Sequence, residues 1–582
     1  MPRATFFVAV CVTLAWSAVD SQTAVRTTDT AWSFPPITTR VAWEARASEM
    51  RRTILFRAGL WPIPARTPLN AHVFGRIERN GISVEKAYFE SVPGFFVTGN
   101  LYRPIAGGAN GPRPPFPAVL APHGHAAYGR LEASDIFNEP ARAANLARQG
   151  YVVFTYDMVG YNDSFQVPHS YAEPKAALWS FSVLGLQLWN SIRGLDFLES
   201  LPDVDRTRLG VSGPSGGGTQ TFLVTAVDDR VKVAVPANMV SHYMQGGDNC
   251  ENAAGLRLDH SNVEFAAMAA PRPMLLVSAD GDWTRDNPRI EFPAIRGIYK
   301  LFDAEQHLAQ VQFHAPHNFN REGREASYAF FATWLKGAPA TPRESGAAIE
   351  TPANLLVWYG RERPAGATVD SLLDYWRALP IDPSGMLLAV APDPAAVAPS
   401  PRAYLPKGRP AGAVLLAGVE DAALIAALNR AGRAVYFVEP FQETRDVKSR
   451  YFTTYNRTAD QLRVQDLLTV AAALEKDYGS IDLVGAGPGG LWALIAAAIH
   501  PAFRSVVADA GRFPSGDESA YLDRLFIPGI LRAGGFGALG QRAALIHNTG
   551  GVFHAPGDLR DAPLSVAEIV AFLTQGGRAE GR

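Results

Sequence analysis

Hydrophobic and polar positions change period along this chain in a regular way. Residues 40–60 carry apolar side chains at helical spacing. Residues 84–91 and 95–102 alternate instead, around the turn signal Val92-Pro93-Gly94, and predict an antiparallel strand pair at one sheet edge. Short apolar runs at 117–122, 151–157, 209–211, 231–236, 274–279 and 310–314 predict buried strands. Stretches of helical period at 141–149, 184–198 and 327–335 are interleaved with them or follow them. Alternation of this kind implies a mostly parallel sheet with helices on both faces.

Residues 336–410 are rich in Pro, Ala and Gly, with a strand-like piece at 354–359 and a helix-like piece at 371–379. The first pattern then returns. The run 413–417 corresponds to 117–122, and 428–439 matches 146–157 element for element. The helix 464–474 answers 184–198, the stretch 481–490 falls on 209–218, and 544–547 falls on the strand at 275. Agreement in the order of five elements predicts a long-period duplication. The expected organisation is a leader over residues 1–21, edge strands and lead-in over 22–115, a first α/β unit over 116–340, and a linker and second α/β unit over 341–582.

Composition narrows this picture only slightly. The chain has 582 residues, 47% hydrophobic and 19% charged, with a formal net charge of −2, so there is no electrostatic case for a nucleic-acid partner. Arg3 followed by the apolar run 5–19 and small residues before Ser21 predicts a cleaved export signal, and no membrane association after its removal. Cys11 lies inside that run, which leaves Cys250 alone and no internal disulfide to expect. The expected location is therefore secreted or periplasmic.

The chemistry gathers at Gly213-Pro214-Ser215-Gly216-Gly217, which follows an apolar strand end and precedes a helix-like segment. A serine in such a sharp strand-to-helix turn is pushed out at the carboxyl edge of the sheet, at the amino end of a helix. It needs a base, and the base needs an orienting carboxylate, in the chain order Ser, acid, His. The strand 274–279 runs into Asp280-Gly281-Asp282, where Asp282 is the expected acid and Asp280 its rival. The next strand opens into His317, the expected base, with His307 and His314 as competitors. The backbone N–H groups of Gly216 and His125 are the expected oxyanion donors, with Gly124 permitting close approach. His123 and His125 also suggest a metal, but no third ligand has matching spacing, so no metal is expected. No cofactor is required either.

These motifs resemble bacterial α/β-hydrolases of the acetyl xylan esterase-like group. The resemblance rests on Tyr88-Phe89-Glu90-Ser91, Gly99 to Pro104, Pro122-His123-Gly124-His125, Tyr156 to Gly160, Gly213 to Gly218, Gly281-Asp282-Trp283-Thr284 and His317-Asn318. It covers about residues 45–335. It implies the α/β-hydrolase fold, twice over if the duplication holds, and a triad of Ser215, Asp282 and His317. It also implies hydrolysis of an ester, such as an acetyl ester on a polysaccharide, through an acyl-enzyme. Two alternatives share the residues: a serine peptidase of the same fold, and dinucleotide (flavin) binding by Gly485-Ala486-Gly487-Pro488-Gly489-Gly490 in the second half. In the duplication Gly487 falls where Ser215 does and Gly551 where Asp282 does, with His554 beyond, so the second half is expected to be catalytically dead. Residues 246–252, Asn262 and Glu264 are candidate pocket lining. Tyr161, Trp283 and Phe319 are candidate sugar-stacking rings.

Overall fold

The apolar run at 116–122 lies between two cores, and that placement explains why it reads as continuous rather than alternating. Ala118 and Leu120 face one core, and Val119 packs with Ala121 in the other. A strand covered on both faces has no polar side to show. The computed structural model describes residues 24–105, 113–346, 350–500, 503–539, 543–548 and 557–575. The expected leader lies outside them.

Nine strands form the first sheet: β1 (His72–Arg79), β2 (Ile82–Val92), β3 (Phe95–Pro104), β4 (Phe116–Pro122), β5 (Val152–Tyr156), β6 (Val204–Pro214), β7 (Val231–Ala237), β8 (Met274–Ala279) and β9 (Leu308–Phe313). Their order is β1-β2-β3-β5-β4-β6-β7-β8-β9. The β1–β2, β2–β3 and β3–β5 pairings are antiparallel and the others parallel. The hairpin turns where Val92-Pro93-Gly94 requires, but β1 lies outside it as the true edge. The helix Val183–Ser200 packs in one core through Leu184, Leu188 and Phe197, together with Phe222 and Leu223 of Gly216–Val227. The helices Glu139–Arg148 and Arg321–Lys336 cover the opposite face through Ala143, Ala147, Tyr328 and Phe331.

The second sheet has seven strands: β10 (Arg402–Tyr404), β11 (Gly412–Ala417), β12 (Arg433–Val438), β13 (Ile481–Gly485), β14 (Phe503–Asp509), β15 (Ala543–His547) and β16 (Asp558–Arg560). Its order, β10-β12-β11-β13-β14-β15-β16, reproduces β3-β5-β4-β6-β7-β8-β9 place for place, including the antiparallel first pair. Here too the central strand divides its side chains, Val414 and Leu416 to one core and Ala413 and Leu415 to the other. The Gly-rich run after β13 therefore follows an inner strand reached after three others. A dinucleotide fingerprint would follow the strand that opens its domain.

The linker was expected to begin near residue 341, but much of it belongs to the first unit. Residues 354–359 do not form a strand. The short helix Pro352–Leu355 is followed by a turn whose backbone bonds side chains of the first unit: Asn100 Nδ2 donates to Leu355 O at 2.9 Å, and Val357 N–H donates to Asp163 Oδ2 at 2.7 Å. With those groups engaged, no strand partner is available to it. The helix Val369–Arg377 buries Leu372, Leu373 and Trp376 in the first core. Conversely, Phe56 and Leu178 of the first unit pack into the second core. Backbone and side-chain bonds cross the same seam: Gly529 N–H donates to Ala177 O at 2.8 Å, and Trp179 Nε1–H donates to Glu518 Oε1 at 2.7 Å.

Candidate active site

β6 ends at Pro214, and the helix Gly216–Val227 begins two residues later. The turn is possible only because glycines flank it. A Cβ on Gly213 would lie 2.4 Å from Pro122 O, and one on Gly217 would lie 2.5 Å from the same atom. Between them Ser215 takes φ 55° and ψ −124°, a conformation that costs a residue with a side chain roughly 1–3 kcal/mol. Its own N–H is tied to Ala237 O at 2.9 Å, at the end of β7. Ser215 is 8% exposed. The N–H groups of Gly216 and His125 have no backbone partner among the described residues.

The residues expected as acid and base follow the last two strands of the sheet. Asp282 follows β8, and His317 follows β9. His317 Nδ1 donates to Asp282 Oδ2 at 2.9 Å, and Asn238 Nδ2 donates to the same oxygen at 2.9 Å. The other carboxylate oxygen accepts the Thr284 N–H at 2.6 Å and the Thr284 hydroxyl at 2.5 Å. Burial pushes the Asp282 carboxyl up, but the bonds from His317, Thr284 and Asn238 outweigh it and hold the group below its ordinary value. Trp283 lies on the His317 ring, with centroids 4.2 Å apart, and its indole N–H donates to Asn238 O at 3.1 Å. The rival Asp280 is bonded instead to His314 at 2.6 Å, and that histidine is 98% exposed. Ser215 and His317 are not hydrogen-bonded to each other.

Sheet order, a strained serine turn between a strand and a helix, and an acid–histidine pair on the following strand ends occur together here. The chain has the α/β-hydrolase fold.

No family model matches the chain. Over 244 residues it is 28% identical to "Putative hydrolase YtaP" of Bacillus subtilis, covering 39% of this chain and 78% of that protein. A protein of Pseudomonas aeruginosa without assigned function is 29% identical over 154 residues, 36% of its length. Among solved structures, "Methylesterase BT1017" is 30% identical, with a TM-score of 0.45, over 53% of this chain and 69% of that one. A glucuronoyl esterase from Solibacter usitatus is 14% identical, with a TM-score of 0.39, over 54% of this chain and 99% of that one.

The other residues that the sequence singles out lie as follows. His123 is fully buried. Its Nδ1 donates to Gly124 O at 2.7 Å and its Nε2 accepts the Met158 N–H at 3.0 Å, while burial draws its pKa down to about 3. It braces the loop and is no ligand. His125 is met instead by His169 and Cys250 from remote loops, one donor atom of each lying within 4.8 Å of the others. Asn262 and Glu264 do not line the cleft. Asn262 bonds Gln245, while Glu264 caps its own helix and pairs with Arg46. Phe319 is buried in the core below Arg142. Tyr161 packs against the rings of His123 and His169, at 5.0 and 4.9 Å.

The loop 246–257 beside this cluster is held by the second unit. Tyr455 donates to Asn252 Oδ1 at 2.9 Å, Tyr451 donates to Gly247 O at 3.3 Å, and Gly255 N–H donates to Thr453 O at 2.7 Å. In the second sheet Gly487 stands at the turn after β13 with φ 57° and ψ −129°. His547 Nδ1 lies 3.1 Å from Asp509 Oδ1 at the ends of β15 and β14, an acid–histidine pair that the sequence comparison passed over. Gly551 and His554 lie outside the described residues.

Proposed function

We propose that this protein hydrolyses a carboxylic ester through an acyl intermediate on Ser215, with His317 as base and Asp282 as its orienting partner. The observation that carries the reading is the strained, side-chain-bearing turn at Ser215 on the same sheet edge as the Asp282–His317 bond. Strain of this kind at a helix amino end serves to present a nucleophile. The Ser215 Oγ–H gives its proton to His317 Nε2 as the oxygen attacks the ester carbonyl. The carbonyl electrons collect on oxygen, facing the N–H groups of Gly216 and His125. Collapse expels the alcohol, which takes the proton from His317. Water then repeats the sequence and releases the acid. The Ser215–His317 bond forms as substrate enters, as catalytic hydrogen bonds commonly do.

The ester is one carried by a carbohydrate, as in the esterases that the chain resembles, with Trp283 and Tyr161 as the aromatic surfaces beside the cleft. Residues 1–21 act as a cleaved export signal. The second unit contributes no nucleophile and holds the loop 246–257 in place. The test is a panel of acetyl, methyl and aryl esters of sugars, uronic acids and simple alcohols, run on the parent and Ser215→Ala. Turnover of sugar-linked esters that is lost in the variant is expected. Undiminished turnover in Ser215→Ala overturns the nucleophile, and a preference for peptide bonds overturns the substrate class.

A further inference from the structure

Beside the Ser215 turn lie three side chains that the reaction above does not use. A Cβ added to Gly216 would lie 2.5 Å from His125 Cε1, so the His125 ring rests against the residue next to the nucleophile. His125 Nε2 is 3.0 Å from Cys250 Sγ, and the His125 and His169 rings stand 5.2 Å apart. One donor atom from each of His125, His169 and Cys250 lies within 4.8 Å of the other two. Tetrahedral zinc with bonds of about 2.0–2.3 Å separates its ligands by roughly 3.5 Å, which small side-chain rotations reach from here.

The surroundings favour a cation. His169 Nδ1 donates to Val159 O at 2.6 Å, which fixes the tautomer and leaves Nε2 as a lone pair. Backbone anchoring of the second ring nitrogen is the usual support of a metal-binding histidine. That Nε2 is buried with no hydrogen-bond partner and lies 3.4 Å from Asp248 Oδ1, so two acceptors face each other. A proton on Nε2 would relieve the conflict, and so would a metal ion. The thiol beside it adds a soft donor that a metal would use and a proton would not. Cys250 is fully buried, and its Sγ lies 3.0 Å from His125 Nε2. The carboxylates of Asp248 and Glu251 stand beside the cluster, 3.4 Å from His169 Nε2 and 3.8 Å from His125 Nδ1 respectively, and attract a dication.

We propose that His125, His169 and Cys250 bind a zinc ion beside the Ser215 turn, with Asp248 within reach as a fourth ligand. Two imidazoles and a thiolate are borderline and soft donors, which suit zinc over magnesium or calcium. Cys250 and Asp248 both sit on the loop that the second unit holds through Tyr451, Thr453 and Tyr455. The second unit thereby sets the spacing of this site.

The test uses the full chain, stripped of metal and titrated with zinc chloride alone by calorimetry, and with cobalt(II) followed by absorbance. One zinc per chain is expected, with a thiolate-to-cobalt charge-transfer band. Cys250→Ser should lose the band, and both Cys250→Ser and His169→Gln should weaken zinc binding roughly 100-fold or more while keeping the parent's circular dichroism. Ser215→Ala should bind zinc as the parent does, which separates this site from the fate of the esterase reading. A parent that takes up no zinc, or folded Cys250→Ser and His169→Gln variants that bind it as tightly as the parent, would overturn the proposal.

Discussion

Ser215 and Gly487 stand at the same point of two sheets with the same strand order. Their backbones agree closely, φ 55° and ψ −124° against φ 57° and ψ −129°. In both units the strand before the turn and the helix after it meet through glycines: a Cβ on Gly485 would lie 2.3 Å from Gly489 O, much as Gly213 meets Gly217. One turn carries a hydroxyl and the other carries nothing. A Cβ on Gly487 would meet no atom within 4 Å, so space does not forbid a side chain there. Glycine adopts the required φ without strain, whereas serine does not. The turn is thus a property of the sheet-to-helix packing, and Ser215 pays a conformational cost that Gly487 avoids. The acid–histidine pairs differ in the same sense. Asp282 is 2% exposed and bonded on both oxygens, whereas Asp509 is 42% exposed beside His547.

The largest effect that bears on this comparison is chemical. Ser215→Ala should lower the rate of ester hydrolysis by about 10⁴-fold or more, measured under saturating substrate, with an unchanged thermal midpoint. Adding Gly487→Ser to that variant should restore no activity, because Asp509 and His547 are not arranged as Asp282 and His317 are. Measurable recovery would show a live second site. Next, Asp282→Asn should cost about 10³–10⁴-fold in kcat, while Asp280→Asn leaves it within about twofold. Equal losses would mean that the exposed Asp280–His314 pair shares the chemistry.

A third pair of substitutions exchanges the strain itself. Gly487→Ser should destabilise the protein by about 1–3 kcal/mol, and Ser215→Gly should stabilise it or leave it level, since the relief of strain is partly offset by about 0.5–1 kcal/mol of unfolded-chain entropy. Urea midpoints read both. Destabilisation by Ser215→Gly would contradict the strained-turn account.

The smallest effect tests the seam. His260 is buried, and first that burial, then the Arg46 and Arg457 cations, pull its pKa down to about 3. The unfolded chain takes up this proton near pH 6.5, and the folded one refuses it until about 3. Stability should therefore be constant above that window and fall through it as pH drops, by up to about 1.4 kcal/mol per pH unit. His260→Gln should flatten this slope when urea midpoints at pH 7 and pH 5 are compared. An unchanged slope would place the acid sensitivity in other groups.

The strands and long helices were legible because burial on two faces or one writes itself into the period of apolar residues. That Ser215, Asp282 and His317 each follow a strand was legible because an apolar run ends shortly before each of them. The unit boundary was not. The residues of 371–379 have helical period whichever core receives them, and nothing in Leu372, Leu373 or Trp376 says that the first core does. Residues 354–359 looked strand-like, since apolar content does not reveal that Asn100 and Asp163 use up their backbone groups. The choice between Asp282 and Asp280 rested on position alone, until Asn238 and Thr284 were seen to hold the first and solvent the second.

What the sequence by itself determined is the alternation of elements, its repetition, and the small residues that a serine turn needs, because each depends on neighbours along the chain. What only the tertiary structure decided is which remote side chains meet. His125, His169 and Cys250 are separated by long stretches of sequence with no shared motif. They come together because the loops after β4, β5 and β7 all end over the same sheet edge, where the second unit fixes the last of them. Local pattern sets backbone conformation, and packing between distant loops sets chemistry.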